Sequence, residues 1–499
     1  ECEYLCANFE QAEAMLDESL ARASGWSQRA RVVKLKVDQY SNKGQYAKAI
    51  ECGLAVIREA GIRVSAAPSP WTAGLEVMRT KRLFRRHARR LGALPPANDP
   101  DLDRLAELCA SLVGPAFFTN RGVLAVLTSQ LIRHFFRRGA PAGLEAVYVA
   151  FAMVLTTKYG DFIDGHRIGR MAVELAERSG DPVLLSKTHI LFHAVVSQWM
   201  GAGDRAAEQL QEAARNCVES GDYVFGSYAL GGLINLSYGG LPIRDFDRLL
   251  RQSLQISELT NEELVYTNIE IYMKWCEQLG SSDCRAFVLA PDRGDEERAL
   301  ADIGQQEGGA VTLYQIYTYK TQAHYLFGDP EEAIRSARMA DPYEPSAVQS
   351  PHKIIHHVYE ALALAAVSRT RDLGAAERSR LGARLREFRR WARRAPDRFD
   401  HLSRLVRAEV LSVTGRDSDC IRLYDEAIRH ARDIRDWQMW AVACECAAAY
   451  HGGRGRERVA DGYLREACEA YDRWGAKAKL AELRGRHGER LSGEGPETA

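Results

Sequence analysis

The sequence lacks the long apolar segments of a membrane protein and the paired cysteines of a disulfide-rich domain. No apolar run is long enough to cross a bilayer, so we expect no membrane partner. The 11 cysteines include no Cys-x-x-Cys pair, and neither Cys2 with Cys6 nor Cys444 with Cys446 continues into a metal-binding pattern. Thiols scattered among apolar residues indicate small core side chains in a reducing, cytoplasmic environment.

The motifs of nucleotide-using enzymes and hydrolases are also missing. A phosphate-binding P-loop needs Gly-Lys before its Ser or Thr, yet no glycine in this chain is followed by lysine. The His-Arg-Asp and Asp-Phe-Gly triplets of protein kinases are absent, as is the Gly-x-Ser-x-Gly elbow of hydrolases. We therefore predict a chain that is not an enzyme and has no catalytic residue, cofactor site or metal site.

Charge and composition favour a helical protein without a general affinity for polyanions. The 67 basic and 67 acidic residues cancel, which argues against nucleic acid as a partner. At 499 residues the chain exceeds the size of one ordinary core. Alanine, leucine, arginine and glutamate dominate, and no apolar alternation of period two persists long enough to predict a sheet.

A recurring turn signal organises the chain. At Gly328-Asp329-Pro330, glycine ends one helical run, aspartate suits an N-cap, and proline fits the first position of the next helix. The turns are predicted at Gly44, Gly160, Gly203-Asp204, Gly239-Gly240, Gly280, Gly328, Gly374, Gly415-Arg416 and Gly452-Gly453. From Gly160 onward they lie between 37 and 48 residues apart, which is typical of helical-repeat proteins.

This period predicts an all-α fold, namely a tetratricopeptide-like α-α superhelical solenoid. One helix pair cannot bury its apolar face alone, so neighbouring pairs must stack. An irregular helical domain with chance glycines is the alternative. We expect tetratricopeptide-like repeats over 1–60, a basic and apolar helical insert over 61–140, a second repeat array over 141–483 and a disordered tail over 484–499. Because the chain opens inside a helix with Glu1 rather than methionine, we expect a fragment of a longer protein.

Several segments resemble one family of bacterial proteins in their order and spacing. They are Lys34–Tyr40 with Gly44–Ile50, Pro115–Asn120, Tyr159–Phe162, Gly221–Phe225 and Arg473–Lys479. Together they resemble the tetratricopeptide-like region of very large signalling proteins, over about residues 1–483. In that family a serine/threonine kinase domain and an AAA-type (STAND-class) predicted ATPase precede the repeats, and a GAF domain and a sensor histidine kinase commonly follow.

The resemblance implies a non-catalytic scaffold or sensor module that mediates protein–protein or interdomain regulation. The expected partners are other protein domains or peptides, including the neighbouring ATPase and kinase domains of the same polypeptide. The alternative is the effector-binding helical arm of a STAND-type ATP-dependent transcription activator. A GAF or kinase domain after residue 499 would favour the first interpretation, and a helix-turn-helix the second.

Three clusters are candidates for a partner-binding site. The basic block from Arg79 to Arg90 has few acids nearby in sequence. Arg82, Arg85, Arg86 and Arg89 are predicted to dock on a neighbouring domain or an acidic protein, with a solvated helix face as the alternative. A second run, from Arg384 to Arg394, is interpreted as a solvated face partly paired with glutamate. Tyr314 and Tyr317 could line a peptide-binding groove, with core packing as the alternative.

A group of three histidines, His352, His356 and His357, is the remaining candidate. His352 and His356 lie one helical turn apart and could share a zinc ion, but the sequence offers no third ligand. We interpret this group as a polar helix face.

Overall fold

A computed structural model describes residues 9–201, 205–260, 263–282, 284, 286–306, 308–347, 351–414 and 417–491. The turns predicted at 203–204 and 415–416, both N-terminal cysteines and the last eight residues of the predicted tail (492–499) lie outside these ranges. The described part forms 23 α-helices and no strand, which confirms an all-α fold. The chain divides into two compact units, 1–229 and 230–499.

The first unit contains ten helices and the start of an eleventh. They are α1 (Phe9–Arg22), α2 (Trp26–Asn42), α3 (Tyr46–Glu59), α4 (Pro70–Leu91), α5 (Pro100–Thr119), α6 (Arg121–Arg138), α7 (Leu144–Tyr159), α8 (Phe162–Ser179), α9 (Pro182–Leu191), α10 (Ala206–Glu219) and α11 (Tyr223–Ser237). A π-helical turn, Phe192–Val196, and a 3₁₀ turn, Ser197–Trp199, extend α9.

The second unit contains the end of α11 and twelve further helices. They are α12 (Ile243–Thr260), α13 (Glu263–Gly280), α14 (Arg293–Gln305), α15 (Gly309–Leu326), α16 (Pro330–Ala340), α17 (Pro351–Val367), α18 (Ala375–Arg394), α19 (Pro396–Thr414), α20 (Asp417–Asp433), α21 (Trp437–Gly452), α22 (Glu457–Trp474) and α23 (Lys477–Leu491).

Local sequence explains where many helices begin and end. Asp329 is the N-cap of α16, since its side chain accepts a hydrogen bond of 3.0 Å from the Glu332 N–H. Gly328 precedes it at φ 89°, a left-handed conformation that glycine adopts without steric cost. The turns at Gly44 and Gly160 also have positive φ, so the glycine signal marked genuine chain reversals there.

The core of the first unit includes an apolar stripe on α2 and α3. Its members Val33, Val37, Tyr40, Ala49, Ile50, Leu54 and Ile57 are all buried. The segment predicted as an insert contributes to the same core: the Phe84 ring lies 5.3 Å from Tyr148 and 6.0 Å from Phe151 between ring centroids. Phe84 therefore packs α4 against α7 through aromatic contacts.

The core of the second unit is rich in buried aromatic and amide side chains. Trp275 of α13 stacks on Tyr319 of α15 with centroids 4.9 Å apart. The Tyr238 hydroxyl lies 3.2 Å from Gln322 Oε1, and the Gln438 amide donates to the Tyr359 hydroxyl at 2.9 Å. Buried polar groups paired in this way fix which helices become neighbours.

The chain's end corrects one prediction. The disordered tail was expected from residue 484, but α23 continues to Leu491. Its alanine, lysine, leucine, glutamate and arginine residues are strong helix formers, and they outweigh Gly485 and Gly488. Within the described ranges, none of the helices is both long and apolar enough to cross a membrane.

Candidate protein-interaction surface

Helix α4 has one buried and one exposed side. Its N-cap is Ser69, whose hydroxyl accepts from the Thr72 N–H at 3.1 Å, and Pro70 occupies the first helical position. Ala73, Val77, Thr80, Phe84 and Leu91 face the core at spacings of three, four and seven residues. On the opposite side of the helix, side chains are exposed and no element among the described residues covers them.

The N-terminal half of that opposite side is apolar. Trp71 is 89% exposed, Leu75 45% and Met78 53%. Because these residues are four and three positions apart, their side chains lie on the same side of the helix. Single exposed apolar residues are ordinary, but three in a row on one helix, one of them tryptophan, are typical of an interaction site.

The C-terminal half of the same side is basic. Arg82, Arg85, Arg86 and Arg89 are all exposed, and they continue the three- and four-residue spacing of the apolar residues. The helix keeps regular geometry up to His87, where φ −131° and ψ 29° mark a kink. We define Trp71, Leu75, Met78, Arg82, Arg85, Arg86 and Arg89 as the α4 face.

Ion pairs attach the flank of α4 to the rest of the unit. Lys81 contacts Asp161 and, at 3.2 Å, Asp164 at the start of α8. Arg85 also reaches Asp164, at 3.1 Å. On the other flank, Glu76 pairs with Arg133 of α6. Asp161, Asp164 and Glu76 are thus already paired, and Arg85 is the residue of the α4 face that takes part in these pairs.

The ionisation of Asp164 is consistent with these ion pairs. Its burial alone would raise the pKa of the carboxyl group, but Lys81, Arg167 and Arg85 together hold that pKa below its usual value. Asp164 therefore stays ionised and keeps Lys81 turned inward.

The outer arginines have no such neighbours. Arg82, Arg86 and Arg89 form no ion pair with any residue that the structure describes. Arg90 lies over the Phe136 ring, 4.4 Å from its centroid, and so covers the end of α6. The α4 face consequently presents apolar surface and uncompensated positive charge side by side.

The predicted tyrosines have different environments. Tyr314 is only 1% exposed, and burial raises the pKa of its hydroxyl well above the usual value. Its side chain is part of the core, so the prediction that Tyr314 contacts a partner is wrong. Tyr317 is half-buried and stacks on Tyr343 with centroids 6.0 Å apart. The two residues do not form a common surface, because α15 packs with the Tyr314 side inward.

The histidine group lies in the interior of the second unit. His352, His356 and His357 are all buried in α17. His352 Nε2 lies 3.1 Å from the Tyr319 hydroxyl, and His357 Nδ1 lies 2.7 Å from Glu387. The polar helix face that the sequence predicts is therefore turned inward, where partners on α15 and α18 contact the rings. The described residues contain no group of three or more His, Cys, Asp or Glu side chains placed to hold a metal ion.

The arginine run of α18 is divided between ion pairs and solvent. Arg384 pairs with Glu360 at 2.6 Å and with Glu387 at 3.2 Å. Arg386, Arg389 and Arg393 are exposed, and the exposed side of α18 carries no large apolar residue. This agrees with the interpretation of a solvated face partly paired with glutamate.

A shallow groove in the second unit was not predicted. It has a volume of about 430 Å³ and is lined by Arg432, Trp440, Arg465, Glu466, Glu469 and Arg473. Trp440 Nε1 donates to Glu466 at 2.8 Å, and Arg473 pairs with Glu469 at 2.7 Å. Most polar groups of the groove thus pair with one another, so the groove offers a ligand fewer unpaired charges than the α4 face does.

The apolar half of the α4 face was also missed in the sequence. The signal was present, since Trp71, Leu75 and Met78 follow the same spacing as the arginines after them. Periodicity alone could not show which side of the helix packs inward.

No protein-family model and no curated protein matches this chain. The resemblance to the repeat region of bacterial signalling proteins accordingly stays a prediction.

Proposed function

We propose that this chain is a non-catalytic helical scaffold or sensor module, and that it binds a protein segment through the α4 face. In this proposal its helix pairs stack as a tetratricopeptide-like superhelix within a larger bacterial ATPase and kinase signalling protein. The all-α fold and the glycine turns between paired helices support this arrangement.

One observation carries the proposal: Trp71, Leu75 and Met78 are exposed beside arginines that have no ion-pair partner within the described part of the chain. Covering such a surface would remove apolar area from water at about 25 cal/mol per Å². Tryptophan and arginine are also the residues that most often dominate the binding energy of protein interfaces.

Photo-crosslinking in the source cells tests the proposal. A benzophenone amino acid replaces Leu75 and, as a control, Val459 on the outside of α22; both residues are 45% exposed. We expect a defined protein adduct at position 75 that is absent at position 459. The same adducts at both positions, or none at position 75, would contradict the proposal.

A further inference from the structure

We infer that the occupant of the α4 face is an acidic amphipathic helix that lies antiparallel to α4, with its acids in the N-terminal half and its apolar residues in the C-terminal half. This inference rests on the proposed function, because it names the partner of the same surface. It follows from the distribution of charge along α4, from the length of the face and from the direction of the helix.

Charge complementarity sets the chemistry of the partner. Arg82, Arg86 and Arg89 are exposed, and no acid among the described residues pairs with them. Asp161 and Asp164, which contact α4, already pair with Lys81 and Arg85. A partner with glutamate or aspartate at matching spacing would supply the missing ion pairs, and arginine forms these with two parallel hydrogen bonds.

The separation of apolar and basic residues along α4 sets the shape of the partner. The α4 face, from Trp71 to Arg89, spans 18 positions, which is about 27 Å or five helical turns. The apolar residues occupy the first half and the arginines the second. A partner helix of about 15–20 residues could cover the whole face if one half were apolar and the other acidic. Its apolar half would lie on the apolar half of the α4 face, and its acidic half on the arginines.

The helix dipole sets the direction. Acidic residues stabilise a helix near its N-terminus, where the backbone N–H groups create positive potential. An acidic partner half is therefore most stable as the N-terminal half of its own helix. Since that half must lie over the C-terminal half of α4, the two helices run antiparallel.

A membrane surface matches this face less well. A bilayer presents the same chemistry at every point of its plane, whereas a helix lying in it has its apolar and basic residues on different sides rather than at different ends. A nucleic acid offers phosphates along its whole length and no apolar counterpart to Leu75 and Met78.

Binding of designed peptides to the full chain, measured by fluorescence anisotropy, tests the inference. The first peptide is a fluorescein-labelled helix of about 18 residues with glutamates in its N-terminal half and leucines in its C-terminal half. The second reverses the order of the halves, and the third has lysine in place of glutamate. We expect the first peptide to bind at least about tenfold more tightly than either of the others, a difference of about 1.4 kcal/mol.

Charge reversal on the protein provides the decisive comparison. The variant Arg82→Glu/Arg86→Glu/Arg89→Glu should bind the acidic peptide at least about tenfold more weakly than the unaltered chain does. It should bind the lysine peptide more tightly. The matched control is Arg386→Glu/Arg389→Glu/Arg393→Glu, on the exposed side of α18, and should bind as the unaltered chain does. Circular dichroism checks that each variant remains folded, as expected for exposed arginines.

The different failures can be told apart. If no peptide binds while position 75 still forms a protein adduct, the partner class is wrong and the proposed function stands. If no peptide binds and position 75 forms no protein adduct, both the inferred partner and the proposed function are wrong. Vesicles of anionic phospholipid that bind the unaltered chain but not the α4 variant, without peptide binding, would show a membrane surface instead. Equal binding of the two peptide orders would overturn the antiparallel assignment.

Discussion

Single residues in this chain have properties set by neighbours far away in sequence. His193 lies in the π-helical turn after α9 and is buried, with Nδ1 3.1 Å from the Ser197 hydroxyl. Burial lowers the pKa of His193 to about 4; His189, His166 and Arg170 add to this effect, and a hydrogen bond to Gln209 opposes it. The ring is therefore neutral in the folded protein at neutral pH.

The buried ring predicts a loss of stability in mild acid. The unfolded chain binds a proton near pH 6.5, whereas folded His193 does so only near pH 4. The full stabilisation is present above pH 6.5 and is lost as the pH falls from 6.5 towards 4. We expect His193 to account for about 2 kcal/mol of the stability difference between about pH 7.5 and about pH 5. Urea denaturation of the unaltered chain and of His193→Gln measures this contribution.

Ser197→Ala is the matched control for this prediction. It removes the hydroxyl beside His193 but leaves the titrating ring in place. Its stability should fall by a similar amount at both pH values, so that the pH dependence is retained. An unchanged pH dependence in His193→Gln would show that this ring does not determine the acid sensitivity.

At the scale of helices, the sequence predicted boundaries better than orientations. The Asp329 cap and the glycine turns at Gly44, Gly160 and Gly328 follow from local rules, and the structure confirms them. These signals depend only on residues a few positions apart. For this reason they can be read without knowing what packs against the helix.

Orientation depends on partners that the local pattern does not contain. His352 is buried, and its ring contacts the hydroxyl of Tyr319, which lies 33 residues earlier in the chain. Tyr314 of α15 faces inward, whereas Trp71, an aromatic residue of α4, faces out. Of the predicted interaction residues, the arginines of α4 lie on the surface, but Tyr314 does not. Only the three-dimensional arrangement of helices decides between these outcomes.

The last helix shows how one charge can hold an element in place. Lys479 of α23 is buried, and its ammonium donates to Glu445 of α21 at 2.7 Å, to Glu482 at 2.8 Å and to the Leu326 carbonyl of α15. A buried cation with three acceptors satisfies all its donors. It therefore joins three helices of the second unit.

We expect Lys479→Met to destabilise the second unit by about 2–4 kcal/mol, because it removes the ammonium that the carboxylates of Glu445 and Glu482 and the Leu326 carbonyl share. The matched control is Lys477→Met, an exposed lysine of the same helix, which should change stability by less than about 0.5 kcal/mol. Urea denaturation followed by circular dichroism measures both variants. Equal effects would mean that the Lys479 contacts do not hold α23.

At the scale of the whole molecule, acidic and basic residues are equal in number but unevenly distributed. Arg82, Arg86 and Arg89 on the outer side of α4 have no acid among the described residues to pair with them. Each compact unit has its own buried aromatic cluster, around Phe84 in the first and around Tyr319 in the second. Composition alone shows neither feature, because both arise from which residues the fold brings together.

The cysteines give a test of both units in one experiment. The nine described cysteines are all free thiols, and six of them are buried. Burial raises the pKa of Cys109 in the first unit to about 12 and that of Cys444 in the second well above its usual value. Since the thiolate is the reactive form, such thiols react only when the surrounding core opens.

Labelling with a maleimide, followed by peptide mass spectrometry, should therefore show an order of reaction within each unit. Half-buried Cys52 should be modified before Cys109 in the first unit, and half-buried Cys468 before Cys444 in the second. In denaturant without reductant, all 11 thiols should react at once. Early modification of Cys109 would mean that the core around it opens easily in the native protein. Fewer than 11 reactive thiols in denaturant would mean that a disulfide had formed, contrary to the expectation from scattered cysteines.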